Sequence, residues 1–231
     1  MKNSNGIVKR ILFVVVVILT VLAVLSCGKV KEFSMGPLEM ADGSAVDDST
    51  HPFESSSDYA GFSIYNVPSN LKFTSAAIST EHVYKGAASL KVGVDYNASN
   101  SGGVLSMTGT AIPMAGKTIT AHVWIPNSMF PTDYPYGASF FIQLPNYNWY
   151  QSTWQNLAGP SGNIPGQWNT ITTTVDTMTL ANGLIPGNIG QTLSQNSEDG
   201  DTAIIWGLKV GQGGSSPDYS GYIYIDSITI E

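Results

Sequence analysis

Between His51 and Glu231 apolar and polar residues alternate with period two, and clusters of Gly, Pro and Asn separate the alternating runs. Successive side chains of a strand point to opposite faces, so this pattern predicts half-buried strands. Leu90, Val92 and Val94 alternate with Lys91, Gly93 and Asp95, and Ile119, Ala121, Val123 and Ile125 with Thr120, His122 and Trp124. Phe140, Ile142 and Leu144 alternate with Ser139, Phe141 and Gln143, and Ile171 and Val175 with Thr170, Thr172 and Thr174. Ile204, Trp206, Leu208 and Val210 alternate with Ala203, Ile205, Gly207 and Lys209, and a last run spans Tyr222 to Ile230. No stretch carries the 3.6-residue period of an amphipathic helix, and no internal repeat is visible. About seven or eight short strands at this spacing predict an all-β domain, an antiparallel β-sandwich with a jelly-roll-like path.

The same parity sorts the large aromatics. Trp206 falls in step with Ile204, Leu208 and Val210 and is expected in the core. Trp124 is out of step with the apolar set of its strand and shares a face with Thr120 and His122. Phe141 likewise shares a face with Ser139 and Gln143. Tyr147, Trp149, Tyr150 and Trp154 follow among Asn, Gln and Ser. Clustered aromatics on polar faces mark binding surfaces, whereas isolated exposed apolar residues do not. Trp124, Phe141, Trp149, Tyr150 and Trp154, with His122 and Gln143, are therefore the candidate ligand-binding residues. For Trp124 the competing expectation is packing under a loop. Trp168, at a strand start, is expected to be structural.

The N-terminal segment follows a different rule. Lys9 and Arg10 precede the run Ile11 to Leu25, which only Thr20 interrupts. That run is shorter than the roughly 18–20 apolar residues of a spanning helix and has the form of a secretory signal. The stretch Val24-Leu25-Ser26-Cys27 resembles the lipobox of bacterial lipoproteins, with Val where Leu is usual. The resemblance implies lipidation of Cys27 and anchoring to the bacterial cell envelope or surface; an ordinary signal peptide or an uncleaved anchor is the alternative. The expected organisation is a signal peptide over 1–26, a flexible tether over 27–50 and the sandwich over 51–231. The tether lacks the apolar periodicity needed to offset its ordering entropy.

Charge narrows the function. Only 12% of the 231 residues are charged. Of the 10 Lys and Arg, three lie in residues 1–26, which leaves 7 against 17 Asp and Glu, and no Arg follows Arg10. A chain so poor in cations cannot neutralise a phosphate backbone, which excludes nucleic acid as a partner. A single cysteine excludes an intrachain disulfide and a Cys-cluster zinc site. What remains suited to Trp and Tyr faces with amide neighbours is sugar. Aromatic rings cover C–H patches and polar side chains satisfy hydroxyls. Three stacked sugars, each removing roughly 100 Å² of apolar area, give on the order of 7 kcal/mol before association costs, hence roughly micromolar to millimolar affinity.

An ordered set of segments carries a second resemblance. Phe53-Glu54 opens the domain and the stretch Ser79 to Val92 follows. Then come His122-Val123-Trp124-Ile125-Pro126, Gly166-Gln167-Trp168-Asn169-Thr170-Ile171 and the closing Gly221 to Ile228. The order resembles galactose-binding-like β-sandwich carbohydrate-binding modules, found beside glucanases and mannanases. It implies non-catalytic binding of a neutral polysaccharide of β-mannan or β-glucan type, with a glycoside hydrolase as a possible partner. It also implies a structural Ca²⁺ held by Glu54, Glu81, the Tyr84 and Lys85 carbonyls and Asp226, in keeping with the ion's preference for six to eight oxygens. A glycosidase would need two carboxylates about 5–10 Å apart, and the strands carry almost no acids on their faces. An atypical jelly-roll glycoside hydrolase and a structural or adhesive surface lipoprotein are the alternatives.

Overall fold

The computed structural model describes residues 50–65, 73–97, 99–129, 136–157, 166–183, 186–196, 200–212 and 218–231. All of them lie within one compact unit, Asp47–Glu231. Cys27, the signal segment and residues 27–49 fall outside the described residues.

Thirteen strands are described. They are β1 (Thr50–His51), β2 (Phe62–Tyr65), β3 (Phe73–Ser79), β4 (Ser89–Tyr96), β5 (Gly102–Pro113), β6 (Thr118–Trp124) and β7 (Tyr136–Gln143). There follow β8 (Trp149–Gln151), β9 (Gln155–Asn156), β10 (Trp168–Thr174), β11 (Thr179–Asn182), β12 (Thr202–Gln212) and β13 (Tyr219–Ile230). Sheet I has the order β10-β6-β13-β4-β3, with β1 also paired to β13. Sheet II has the order β11-β8-β7-β12-β5-β2, with β9 also paired to β7. Every pairing is antiparallel. The all-β sandwich expected from the alternation is thus the observed architecture.

The core lies between the inner faces. Sheet I contributes Leu90, Val92, Ile119, Ala121, Val123, Ile223 and Ile225; sheet II contributes Leu105, Phe140, Ile142, Leu208 and Val210, and all are fully buried. Trp206 lies among them as its parity requires, with Phe62 edge-on at 5.5 Å. Strands β6 and β10 read inward and outward in strict alternation.

Parity failed at one point. Ile204 is only half-buried and Ala203 is buried instead, because a bulge between Ala203 and Ile205 shifts the register of β12 against β5. The strands beyond the expected seven or eight are mostly short or Gly- and Thr-rich, such as β9 and β5, and carry little alternation of their own.

Two backbone features position side chains discussed below. Ser227 adopts a left-handed φ of 49° where β13 shifts register against β6, beside Asp226. Tyr147 adopts φ 63° in the turn joining β7 to β8, which Tyr147 N–H closes onto the Leu144 carbonyl at 2.9 Å. Bulges and left-handed residues of this kind re-aim neighbouring side chains.

Candidate functional site

The outer face of sheet II gathers most of the candidates. Antiparallel partners share a face, so the register assigns this one directly. Gln143 pairs with Trp149 and Ile205, Phe141 with Gln151 and Gly207, and Ser139 with Lys209. Lys209 and Gly207 in turn pair with Val104 and Ser106 of β5. The centre is a stack: the Phe141 and Trp149 rings are parallel within 4° at 4.3 Å. Val104 and Phe141 are buried, and Trp149 and Ile205 pack against them as a small apolar cluster separate from the main core.

Two glycines make room for the rings. A Cβ on Gly137 would run into the indole of Trp154, so the missing side chain lets that ring lie on β7. A Cβ on Gly207 would strike both the Leu105 carbonyl and the Phe141 ring. Around the rings stand polar groups: Gln151 Nε2 donates to Ser139 Oγ at 3.1 Å, and Gln143 is half-exposed. Gln155 Nε2 donates to the Thr172 carbonyl at 2.7 Å, tying the segment beside Trp154 to β10. The face therefore presents half-exposed indoles beside the half-exposed amides of Gln143 and Gln151, with the buried Ser139 hydroxyl bracing Gln151 from below.

Phe141, Gln143, Trp149 and Trp154 are thus brought together, but Phe141 is only 1% exposed and acts as the floor beneath Trp149. Tyr150 requires a correction. It is fully buried in the main core, because Trp149 and Gln151 point outward and the residue between them must point inward. Ser139 shares this face as its parity with Phe141 requires, and three further residues absent from the candidates, Gln151, Ile205 and Lys209, lie there too. For Lys209 and Ile205 the signal was their parity opposite to Trp206.

Trp124 and His122 require a second correction, since they face outward from sheet I, on the other side of the sandwich. The loop after β3 covers them. His82 stacks on Trp124 at 3.6 Å and Tyr84 stacks on His122 at 3.5 Å, while Tyr224 stands edge-on to Trp124 at 5.4 Å. Trp168 completes the set, edge-on to Tyr84 at 5.8 Å, as its structural assignment anticipated. His122 Nδ1 is buried without a hydrogen-bond partner, and desolvation holds the imidazole pKa below its ordinary value. This is a packed clasp between loop and sheet. The loop after β3 supplies the aromatic partners that the exposed face of β6 lacks.

The expected calcium ligands do not fit a cation site. The fully buried Asp226 carboxylate accepts the backbone N–H groups of Tyr84 and Lys85 at 2.8 and 3.2 Å, and the Ser227 hydroxyl at 3.2 Å. Glu54 accepts the N–H groups of Ala87 and Ala88 at 2.8 and 3.2 Å. The turn thus offers donors, not carbonyl oxygens, to both acids. Glu81 is engaged elsewhere, in an ion pair with Lys91 at 2.7 Å and a hydrogen bond from the Tyr224 hydroxyl. Hydrogen bonds from Lys91 and Tyr224 hold the Glu81 carboxyl below its ordinary pKa, and burial, with that bond, pushes the Tyr224 hydroxyl up to about 12. Among the described residues no three acidic, His or Cys side chains converge as metal ligands. The two acids latch the turn by themselves.

No family profile and no curated protein sequence matches the chain. Solved structures do. A carbohydrate-binding module of family 28, specific for non-crystalline cellulose, aligns at 15% identity over 82% of this chain and 96% of its own, with a TM-score of 0.54. A β-sandwich carbohydrate-binding module described as promiscuous in specificity aligns at 20% identity over 80% of this chain, with a TM-score of 0.48; the alignment spans only 62% of that longer chain. The C-terminal family 22 module of Clostridium thermocellum Xyn10B aligns at 11% identity over 78% of this chain and 89% of its own, with a TM-score of 0.46. These structural neighbours are carbohydrate-binding modules with a β-sandwich fold. At such identities the family 28 match establishes the fold that the two chains share.

Proposed function

We propose that the protein binds a polysaccharide chain without cleaving it, on the outer face of sheet II. The observation that carries this reading is the Trp149–Phe141 stack, with Trp154 lying over Gly137 on the same face and the half-exposed amides of Gln143 and Gln151 between the strands. Indole faces cover sugar C–H patches, and amides and hydroxyls exchange hydrogen bonds with sugar hydroxyls. Two or three stacked units give roughly 5–7 kcal/mol gross, which association costs reduce to micromolar or weaker affinity. The described strands of this face carry no Asp or Glu, so the carboxylate pair of a glycosidase has no counterpart there. The shared fold with a cellulose-specific module supports the same reading. The backbone we favour is a β-mannan or β-glucan type chain, held near the cell envelope by a lipid on Cys27.

Affinity electrophoresis of the purified protein through mannan, glucomannan, xylan and mixed-linkage β-glucan tests it. Retardation by at least one of them is expected. Free migration of folded protein through all four would remove the β-mannan or β-glucan ligand, and failure to bind any glycan would favour a structural surface role.

A further inference from the structure

Lys209 stands on the outer face of β12, between Ser139 of β7 and Val104 of β5, with its Nζ 5.9 Å from the Trp154 ring centroid. It is half-buried, and desolvation lowers its pKa. No hydrogen bond or ion pair to it is present among the described residues. Lys91, on sheet I, is by contrast fully paired with Glu81. An ammonium withdrawn from water without a counter-charge is costly, so such groups are paired in most proteins. The outer face of sheet II offers no acid to pair with it: the described outward residues of β5, β7, β8 and β12 are Gly, Val, Ser, Thr, Phe, Gln, Trp and Ile besides Lys209 itself. The chain is otherwise acidic, with formal net charge −7. Among the described residues Lys209 is thus the one charged side chain at the centre of this stacking face.

We infer that Lys209 is the partner of a carboxylate carried by the bound glycan. The ligand class is then a β-linked polysaccharide bearing uronate groups, with the sugar backbone on Trp149 and Trp154 and an acidic substituent at the ammonium. The inference rests on the proposed glycan-binding role of this face and adds its charge selectivity. A single desolvated ammonium–carboxylate contact makes binding of the charged ligand roughly 10-fold tighter than that of its neutral form.

The test compares uronate polysaccharides with neutral twins of the same backbone. Glucuronoxylan and mannuronate-rich alginate are each run beside their carboxyl-reduced forms in affinity electrophoresis, with neutral β-glucan and mannan in parallel. Expected is stronger retardation by at least one acidic member than by its reduced twin, with the difference shrinking as salt rises. Lys209→Met abolishes the difference and preserves residual binding to the reduced form, whereas Lys209→Arg keeps it. Equal or stronger binding of the neutral forms overturns the charge inference and leaves the glycan-binding role standing. Binding of no glycan at all overturns both.

Discussion

Trp124→Ala separates the two aromatic surfaces. The indole stacks on His82 at 3.6 Å and meets Tyr224 edge-on at 5.4 Å. Each aromatic pair contributes about 0.5–1.5 kcal/mol beyond area burial. The half-buried indole adds roughly half of the 1.5–3 kcal/mol that a fully buried large apolar side chain contributes. The total loss is about 2–4 kcal/mol, which for a domain of this size lowers Tm by roughly 5–15 °C. Glycan affinity is expected to stay unchanged, since the residue lies on the sheet opposite Trp149. The assay is a thermal melt of Trp124→Ala beside affinity electrophoresis in whichever glycan retards the parent protein. An unchanged Tm with lost retardation would refute the clasp and return Trp124 to the ligand surface.

Further predictions concern the latch and the clasp. Asp226→Ala strands the N–H groups of Tyr84 and Lys85 and costs about 2–5 kcal/mol, read by denaturant midpoint; a loss under about 1 kcal/mol would show that Asp226 does not hold the turn. EDTA leaves Tm unchanged, because Glu54, Glu81 and Asp226 are satisfied by N–H, ammonium and hydroxyl donors; a drop in Tm restored by Ca²⁺ would contradict this. His122 has a folded pKa below its ordinary value, so the unfolded chain takes up its proton first as pH falls. Stability is then fully present above the unfolded pKa near 6.5 and is lost as pH falls from there towards the folded pKa, and His122→Gln flattens that slope in pH-dependent melts.

The alternation along the chain made the inner and outer faces readable, as Trp206, Ile119 and Phe140 show. It could not say which sheet a strand joins. Trp124 and Phe141 are both outward-facing, yet β6 pairs with β10 and β13 while β7 pairs with β8 and β12. Those pairings are non-local and leave no mark on a single strand, so one expected set of ligand-binding residues divides between two separate surfaces. Tyr150 was misplaced for a different reason. Its neighbourhood is dense in aromatics, and a strand of three residues is too short to display its parity. Lys209 is legible as an outward residue of β12, but the absence of an acid beside it among the described residues depends on what β5, β7 and β8 place around it.

The loop over sheet I is instructive as well. Its acids looked like cation ligands because Glu54, Glu81 and Asp226 do lie near the turn after β3. Whether a carboxylate faces a carbonyl or an N–H is a matter of peptide orientation, and residue identity is silent on it. Here the left-handed Ser227 and the register shift in β13 set Asp226 beneath the amides of residues 84 and 85.

The chain has five tryptophans, and each contributes one indole N–H signal, so the site can be located in a single spectrum. Trp149 and Trp154 lie on the outer face of sheet II, Trp124 and Trp168 belong to the clasp on sheet I, and Trp206 is in the core. A ¹⁵N–¹H correlation spectrum titrated with an oligosaccharide of the retarding glycan is predicted to move the Trp149 and Trp154 indole signals and leave the other three in place. Movement of Trp124 or Trp168 with Trp149 and Trp154 still would contradict the placement of the glycan on sheet II.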